Sequence, residues 1–289
     1  MQKNLKPFLK WAGGKSKLLN TLKIYYPFKK HGHEIKKYAE IFLGGGAVLF
    51  DVLNNYELDE IFISDLNPAL MNAYKIIRDK IDALIFELYN LKNLYCENRD
   101  DNIYYSLRAE FNDLVLEKNF NVRTAALMIF LNKTCYNGLY RVNSKGAFNV
   151  PKGNYKNPAI FDAENLLNIS LALKNSEIEC CDFKEAENFI DSYTFVYIDP
   201  PYRIINNNFT AYTDKNFDEH EQLRLAAFVN ELSKSGAYIL ASNSDSDDNF
   251  FEKNYSGMKI INVKSKRMIA CKNSSRIQAE ELIMLNYEP

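Results

Sequence analysis

Four consecutive residues, Asp199-Pro200-Pro201-Tyr202, carry the clearest chemistry in the sequence. They follow an apolar run at residues 194–198, whose β-branched and aromatic side chains predict a buried strand. Because two successive prolines forbid a following helical turn and further ladder hydrogen bonds, the strand must end there. The Asp199 carboxylate, the Pro200 carbonyl and the Tyr202 ring are then expected together at the carboxyl end of a sheet, where α/β proteins place ligands.

This combination suits a planar base that carries an exocyclic amine. Two fixed acceptors can receive hydrogen bonds from the two amine hydrogens while the aromatic ring stacks on the base. Hydrogen bonds to preorganised acceptors favour the localised lone pair with which such an amine attacks an electrophile. A simpler alternative is equally consistent with four residues alone: the prolines only end a strand, and Asp199 caps the next element.

A run of three glycines, residues 44–46, follows a predicted strand at residues 38–43 and precedes a predicted helix. Glycines at such a turn let a ligand approach the backbone amides at a helix start. Asp65 ends the second predicted strand, 21 residues after the first glycine, at the spacing of a carboxylate that accepts ribose hydroxyls. Since a dinucleotide fingerprint would need glycine where the chain has Leu49, the pattern favours a nucleoside ligand without a pyrophosphate.

Two further residues, Asp182 and Phe183, come at the end of the third predicted strand. They can serve an adenine ring as a polar partner for its edge and a stacking surface for its face. A helix cap followed by a core aromatic is an equally good interpretation of the pair.

Composition limits the class of protein. The 289 residues are 47% hydrophobic and 25% charged, as in an ordinary globular protein. No stretch has the apolar length needed to span a bilayer, and the lysine-rich start lacks the apolar core of a signal peptide, so we expect a cytoplasmic protein. The five cysteines are odd in number and show no paired metal spacing, so neither disulfides nor a metal site is expected.

The charges are unevenly distributed, although the formal net charge is only -1. Residues 1–33, 118–161 and 253–279 contain no Asp or Glu, yet they hold 22 of the 36 Lys and Arg residues. If these acid-free segments meet in space, they form a footprint for phosphates. The alternative is three separate solvated surfaces.

The remaining pattern predicts strands and helices alternating at both ends of the chain, with a helical middle. The other predicted strands are residues 61–64, 178–180, 238–241, 260–263 and 282–285, and the predicted helices are residues 47–53, 70–91, 104–116 and 122–131. The last two strands have no helix-length pattern between them, which predicts an antiparallel edge hairpin. Residues 136–158, with a turn at Lys145-Gly146, predict a hairpin or a long functional loop. The acidic residues 242–248 are interpreted as a solvated turn without an assigned role.

Taken together, seven motifs resemble the Dam-type DNA adenine-N6 methyltransferases over nearly the whole chain. In chain order they are FLKWAGGK (residues 8–15), FLGGG (42–46), SDLN (64–67), YNGLYR (136–141), FNVP (148–151), DPPY (199–202) and NFTAY (208–212). The resemblance implies an α/β fold: a Rossmann-like S-adenosylmethionine-dependent methyltransferase sheet, mostly parallel with an antiparallel edge hairpin, and a mainly helical inserted target-recognition domain. Residues 1–67 and 163–289 would form the catalytic and S-adenosylmethionine-binding domain. Residues 68–162 would form the DNA target-recognition domain, with its hairpin loop at about 136–158.

The resemblance also implies roles for individual residues. Asp199, Pro200 and Tyr202 would be catalytic and would grip an adenine that has left the duplex. The cofactor would be bound by Trp11, Lys15, Phe42, Gly44, Gly46, Asp65, Asp182, Phe183 and Asp199. Flanking bases and the DNA strands would be contacted by Lys10, Tyr136, Asn137, Leu139, Arg141, Pro151, Phe209, Thr210 and Tyr212.

The implied activity is transfer of a methyl group from S-adenosylmethionine to adenine N6 in double-stranded DNA, with GATC as the expected site. A cognate restriction endonuclease acting on the same site is left open. One alternative keeps the chemistry but changes the target to cytosine N4, RNA or a protein amide; Asp199 argues against cytosine N4, whose enzymes usually carry serine there, and the basic segment around Arg141 favours DNA. A second alternative is a non-catalytic DNA-binding protein of the same fold.

Overall fold

The structure, a computed structural model, describes residues 4–97, 101–203, 217–244, 248–264 and 280–289. Its α-helices are α1 (Leu19–Leu22), α2 (Phe28–His31), α3 (Ala47–Asn55), α4 (Pro68–Asp79), α5 (Ile81–Glu97), α6 (Asp101–Leu116), α7 (Val122–Thr134), α8 (Ala163–Ala172), α9 (Glu219–Lys234) and α10 (Phe250–Asn254). Its strands are β1 (Lys37–Glu40), β2 (Glu60–Ser64), β3 (Ser176–Glu179), β4 (Thr194–Ile198), β5 (Tyr238–Ser244), β6 (Lys259–Lys264) and β7 (Glu280–Leu285). None of the helices within these described ranges is long and apolar enough to cross a membrane.

The strands form one mostly parallel sheet in the order β3-β2-β1-β4-β5-β7-β6. Strand β4 pairs in parallel with β1 on one side and with β5 on the other. Strand β7 is antiparallel to both β5 and β6, which confirms the predicted antiparallel pair at the sheet edge. The α/β fold class predicted from the sequence is therefore confirmed.

The chain divides into two compact units. The first contains Met1–Leu19, Leu43–Glu57 and Ile63–Asp182, and the second contains Asn20–Phe42, Leu58–Phe62 and Phe183–Pro289. The assignment of residues 68–162 to DNA recognition stays a prediction.

Helix α7 is the centre of the first unit. Its residues from Thr124 to Asn132 are buried on every side, as expected of a helix that other helices surround. Helices α4, α5 and α6 all pack against it. At its start, the Asn121 side chain accepts a hydrogen bond from the Thr124 amide, a standard helix cap. Its end delivers the chain into the motif that begins at Tyr136.

Parallel pairing in the second unit brings the ends of three strands to one edge. Glu40 of β1 lies opposite Tyr197 of β4, and Ile198 lies opposite Ala241 of β5. The residues that follow these strands therefore emerge side by side. Asp199 is the first residue after β4, so the predicted end of this strand at the two prolines is correct.

Some element boundaries differ from those predicted. The single helix expected over residues 70–91 is two helices, α4 and α5, that break at Lys80, whose backbone leaves the helical region (φ −139°, ψ 42°). No glycine or proline marks this break. The two helices are positioned by their packing on other helices, so the break has no local signal in the sequence. Strand β1 ends at Glu40 instead of Leu43, whose amide donates to the Ser64 carbonyl. Helices α8 and α9 were not predicted.

Candidate active site

The glycine turn after β1 is held by Asp65, the first residue after β2. One carboxylate oxygen of Asp65 accepts a hydrogen bond from the Gly44 amide at 3.0 Å, and the other accepts from the Asn67 amide at 2.9 Å. Gly44 and Gly46 both have positive φ, at 50° and 66°. This backbone geometry favours glycine, so conformation explains Gly44 and Gly46.

The indole of Trp11 lies directly on this turn. A Cβ atom added at Gly44 would come within 2.8 Å of Trp11 Cδ1, and one added at Gly45 would lie 3.0 Å from Trp11 Cβ. An open pocket of about 260 Å³ borders the same residues; its lining includes Leu9, Lys10, Trp11, Ser16, Gly45 and Ala47. The structure thus brings together Trp11, Gly44, Gly46 and Asp65, four of the residues predicted to bind the cofactor.

Lys15 also belongs to this cluster in the first unit. It begins a short 3₁₀ turn, Lys15–Lys17, that packs on α3, the helix that follows the glycines. Although it is a lysine, only 6% of its surface is exposed. A buried ammonium group requires partners of opposite charge or strong hydrogen-bond acceptors.

Tyr140 is a site residue for which the sequence predicted no role. Its ring stacks on Trp11, with centroids 5.2 Å apart and planes 21° from parallel, and it also contacts Phe148 at 5.6 Å. Burial raises the pKa of its hydroxyl, which hydrogen-bonds the Asn67 side chain and lies near Asp65. Tyr140 belongs to the YNGLYR motif, so this motif contacts the residues predicted to bind the cofactor.

In the second unit, Asp199 lies at the end of the fully buried strand β4 and is itself half-buried. Its Oδ1 atom accepts a hydrogen bond from the Ser242 hydroxyl at 3.0 Å. The Tyr197 hydroxyl lies 3.0 Å from the same Ser242 Oγ atom. Residues 242–248 were interpreted as a solvated turn, but Ser242, Asn243 and Ser244 belong to β5, and Ser242 and Asn243 are buried, so that interpretation was wrong for these three residues.

The rest of the tetrapeptide is tied to neighbouring elements. The Tyr202 hydroxyl donates to the Glu281 carboxylate on β7, with distances of 3.0 and 3.2 Å to its two oxygens. Glu281 is only 3% exposed. The Pro201 carbonyl accepts a hydrogen bond from the Gln222 side chain on α9 at 2.9 Å. The backbone and the Tyr202 ring are therefore fixed from two sides.

Arg203, the residue after the tetrapeptide, anchors the chain to neighbouring elements. Its guanidinium makes a two-pronged ion pair with Glu219, at 2.7 and 2.9 Å, and a second ion pair with Asp248 at 2.5 Å. It also stacks over the Phe250 ring at 4.2 Å. A bidentate pair of this kind is more rigid than a single contact.

An aromatic cluster in the second unit contains Phe42, Phe183 and Phe217. The Phe42 centroid lies 5.8 Å from Phe183 and 5.5 Å from Phe217. Phe183 is only 3% exposed, and the Arg224 guanidinium covers its ring at 4.2 Å, whereas Phe42 is half-buried. Phe183 therefore serves as a core aromatic here, and its stacking role stays a prediction, as does the role of the half-buried Asp182 in the first unit.

Six of the nine residues predicted to contact DNA are described, and they lie around the end of α7 in the first unit. The Asn132 side chain accepts from the Lys10 amide at 2.8 Å and donates to the carbonyls of Lys10 and Gly138 at 2.8 and 3.1 Å. Gly138 is pressed against the Lys10 side chain and has φ +63°. One buried amide thus joins the FLKWAGGK and YNGLYR motifs.

The remaining members lie on the loop that follows. Tyr136 is 54% exposed, and its amide donates to the Pro151 carbonyl at 2.8 Å. Asn137 is exposed with φ 55°, and Leu139 is half-buried. Arg141 donates through Nε to the Asn149 side chain at 2.7 Å. The predicted hairpin is a loose loop with two isolated bridges, Cys135 with Lys152 and Val142 with Phe148.

Side chains of helix α6 hold the backbone of this loop through hydrogen bonds. The Val150 carbonyl accepts hydrogen bonds from Tyr104 at 2.9 Å and from Arg108 at 3.1 Å. The Asn112 side chain bonds both the amide and the carbonyl of Phe148, at 2.7 and 3.1 Å. The backbone of the predicted recognition loop is therefore fixed by a helix rather than left to solvent.

The first two acid-free segments meet at Lys10. Its ammonium group lies 5.0 Å from the centre of the Tyr155 ring. Burial, with a smaller contribution from the nearby charge of Lys10, lowers the pKa of Lys133. Not every basic residue there contributes positive charge, because Arg123 is paired with Glu87 and Glu110. Most of the third segment, and the predicted DNA contacts Phe209, Thr210 and Tyr212, lie outside the described residues.

Comparison with known proteins identifies the family of the chain. A model of the D12 class N6 adenine-specific DNA methyltransferases matches residues 11–269. The chain is 47% identical to the Type II methyltransferase M.MjaIII of Methanocaldococcus jannaschii, over 98% of this chain and 99% of that protein. It is 36% identical to the Type II methyltransferase M1.LlaDCHI of Lactococcus lactis subsp. cremoris, over 98% and 96% of the two chains. It is 32% identical to the DNA adenine methylase of Escherichia coli (strain K12), over 100% and 97%. The chain therefore belongs to the D12 class of N6 adenine-specific DNA methyltransferases.

Proposed function

We propose that the protein transfers the methyl group of S-adenosylmethionine to N6 of an adenine flipped out of duplex DNA. The observation that carries this proposal is the setting of Asp199. Its half-buried carboxylate follows a buried strand and is oriented by the Ser242 hydroxyl, 3.0 Å from Oδ1. An acceptor that is already in position costs no reorganisation when an amine must be held for attack.

The tetrapeptide would hold the adenine. Asp199 and the Pro200 carbonyl accept hydrogen bonds from the two N6 hydrogens, which favours a localised nitrogen lone pair. The Tyr202 ring stacks on the base. In a direct displacement, the bond between N6 and the methyl carbon would form as the bond between that carbon and the cofactor sulfur breaks. S-adenosylhomocysteine would leave and N6 would lose one proton to solvent, without a covalent enzyme intermediate. The hydrogen bond that Tyr202 donates to Glu281 and the one that Gln222 donates to the Pro201 carbonyl support this role, because they fix the segment before the base arrives.

The first unit contains residues that fit S-adenosylmethionine. When bound, this cofactor supplies an electrophilic methyl group on a positively charged sulfur. We assign the methionine part to Trp11 and Lys15, the pocket wall to the turn at residues 44–46, and the ribose to Asp65. The fit rests on the glycine cradle, where a Cβ at Gly44 would collide with the Trp11 ring at 2.8 Å, and on a carboxylate oriented by two backbone amides. Phe42, Asp182 and Phe183 are assigned to the base of the cofactor.

We further propose that GATC is the recognised site. The exposed Tyr136 would insert into the duplex, while Lys10, Asn137, Leu139, Arg141 and Pro151 would contact the flanking bases. An arginine paired with guanine and an apolar side chain against a thymine methyl are chemically matched contacts. The relatives named DNA adenine methylase support this choice.

A cognate restriction endonuclease is the proposed partner. Two relatives carry Type II methyltransferase names, and such names refer to restriction systems. DNA fully methylated by the protein would then resist cleavage by an endonuclease specific for the same site.

The catalytic assignment is tested by Asp199→Asn, which keeps the shape of the side chain but replaces one acceptor oxygen with a donor. Single-turnover methyl transfer should fall about 10²- to 10³-fold, the usual effect of removing one preorganised group. DNA affinity should stay within about threefold. The exposed Asp113→Asn is the matched control and should retain full activity. Undiminished turnover of Asp199→Asn would overturn the assignment.

The sequence specificity is tested with a set of duplexes that differ from GATC at one position each. We expect every substitution to reduce methylation, with about 1–3 kcal/mol of discrimination at a position read by a bidentate contact. Equal methylation of adenine in all contexts would contradict the proposed recognition.

A further inference from the structure

Ser242 is held between Tyr197 and Asp199 by the register of the sheet. Ile198 of β4 lies opposite Ala241 of β5. The residues that follow these two along the chain, Asp199 and Ser242, therefore come side by side. Side chains two residues apart on a strand share a face, which puts Tyr197 on the same side as Asp199. Ser242 Oγ lies 3.0 Å from Asp199 Oδ1 and 3.0 Å from the Tyr197 hydroxyl.

The direction of both hydrogen bonds follows from the number of protons. A serine hydroxyl has one hydrogen, and a carboxylate can only accept, so the Ser242 hydrogen points to Asp199. The Tyr197 hydroxyl must then donate to Ser242. Burial and, next, the charge of Asp199 raise the pKa of Tyr197 well above its usual value, so the phenol keeps the proton that it donates. Tyr197 and Ser242 are both buried, so bulk solvent does not reach their hydroxyls.

We propose that Ser242 is a positioning residue for the Asp199 carboxylate, and that Tyr197 acts through Ser242. This inference rests on the proposed role of Asp199. An aspartate carboxylate rotates broadly about χ2, so it needs an external contact to define the direction of its lone pairs. A displacement of about 1 Å between reacting groups reduces rates by about 10²-fold, which makes such a contact consequential.

The first test removes the hydroxyl of Ser242. Ser242→Ala should lower kcat by about 10- to 100-fold, the range for a hydrogen bond to a charged group, and should leave the KM values for DNA and S-adenosylmethionine within about twofold. Ser242→Thr restores a hydroxyl and should recover most of kcat. The control is Ser170→Ala, which removes the hydroxyl of a buried serine that donates to the Arg78 carbonyl in the other unit. Unchanged kcat in Ser242→Ala overturns the proposal.

Tyr197→Phe offers a second variant that removes a single oxygen from a well-packed ring. It should lower kcat by about 3- to 10-fold through looser placement of Ser242. Tyr255→Phe, another buried tyrosine, is the matched control. The double variant Ser242→Ala/Tyr197→Phe should be no slower than Ser242→Ala, because the tyrosine acts through the serine. Effects that multiply in the double variant would overturn the relay.

Asp199→Asn separates this inference from the proposed function. If Asp199→Asn retains turnover, the proposed function fails. If Asp199→Asn abolishes turnover and Ser242→Ala retains it, the positioning role alone fails. When both rates fall, adding Ser242→Ala to Asp199→Asn should cause no further loss, and a further loss would overturn the role of Ser242 as a support for Asp199.

Discussion

The ring of Tyr140 stacks on the indole of Trp11, with centroids 5.2 Å apart and planes 21° from parallel. Trp11 is the only tryptophan in the sequence and is one of the proposed cofactor residues. Tyr140 belongs to the motif proposed to read DNA, and its hydroxyl hydrogen-bonds the Asn67 side chain near Asp65. A side chain of the motif proposed to read DNA thus contacts a proposed cofactor residue, within a single compact unit.

Tyr140→Ala should weaken S-adenosylmethionine binding by about two- to tenfold, because an aromatic pair contributes about 0.5–1.5 kcal/mol beyond its buried area. Since Trp11 is the only tryptophan, intrinsic fluorescence reports binding at this position directly. Tyr140→Phe keeps the stacked ring and is the matched control; it should bind nearly as the unmodified protein does. Fluorescence that does not respond to the cofactor would argue against the assignment of Trp11.

Gly44→Ala should reduce cofactor affinity by about tenfold or more, equivalent to at least about 1.4 kcal/mol. The new Cβ would lie 2.8 Å from the Trp11 ring, so the ring must move. Gly257→Ala is the control, since Gly257 also has positive φ but has open space around its Cβ position. Both variants should lose about 1–2 kcal/mol of stability from backbone strain, measured by denaturant unfolding.

Only the Gly44 variant should lose cofactor affinity in titration calorimetry. Equal cofactor affinities of the two variants would show that the glycines are required by the backbone alone.

Arg141→Ala should relax base preference at one outer position of the site, at a cost of about 1–3 kcal/mol for the preferred base. Asn149→Ala should have a smaller effect of the same kind, because Asn149 holds the Arg141 guanidinium at 2.7 Å. Lys156→Ala, an exposed lysine of the same acid-free segment, should weaken all sequences alike. These differences are measured as DNA affinities across single-base variants. Uniform weakening by Arg141→Ala, with a salt slope lower by about one, would make it a phosphate contact.

Cys135 should resist alkylation in the folded protein. It is buried at the start of the proposed recognition loop, and its thiol donates to the Leu139 carbonyl at 3.3 Å. Burial raises the pKa of Cys135 to about 11, so only about one thiol in a thousand is ionised at pH 8. Iodoacetamide mapping by mass spectrometry should modify the exposed Cys96 first and Cys135 only on unfolding. Alkylation of Cys135 as fast as that of Cys96 would mean that the loop opens readily.

The sequence predicted the strands that bear the site because their signals are local. The run before Asp199 and the glycines before α3 are both short patterns with one physical interpretation. Helix α9 had similar local signals, although it was not predicted: the Asp218 side chain caps it, and apolar residues at helical spacing, such as Leu225 and Phe228, are buried. That omission was not a limit of the sequence.

Ser242 and Glu281 could not be assigned in this way. Ser242 begins a polar stretch that was interpreted as a solvated turn, and no local pattern marks Glu281 as buried. Only pairing between strands that are distant in the chain shows that these two residues are buried beside the tetrapeptide. The same holds for Tyr140, whose stacking on Trp11 joins residues 129 positions apart. The residues that hold a site in place are identified by tertiary contacts, whereas the residues at its centre belong to recognisable sequence motifs.

The central claim is that Asp199 holds adenine N6 for methyl transfer within GATC. The most direct test incubates the protein with DNA and S-adenosylmethionine labelled on its methyl group, then maps the labelled base and its neighbours by digestion and mass spectrometry. We predict label on N6 of adenine in GATC, and its loss in Asp199→Asn with DNA binding retained. Label on cytosine N4, label on adenine outside GATC, or undiminished labelling by Asp199→Asn would contradict the claim.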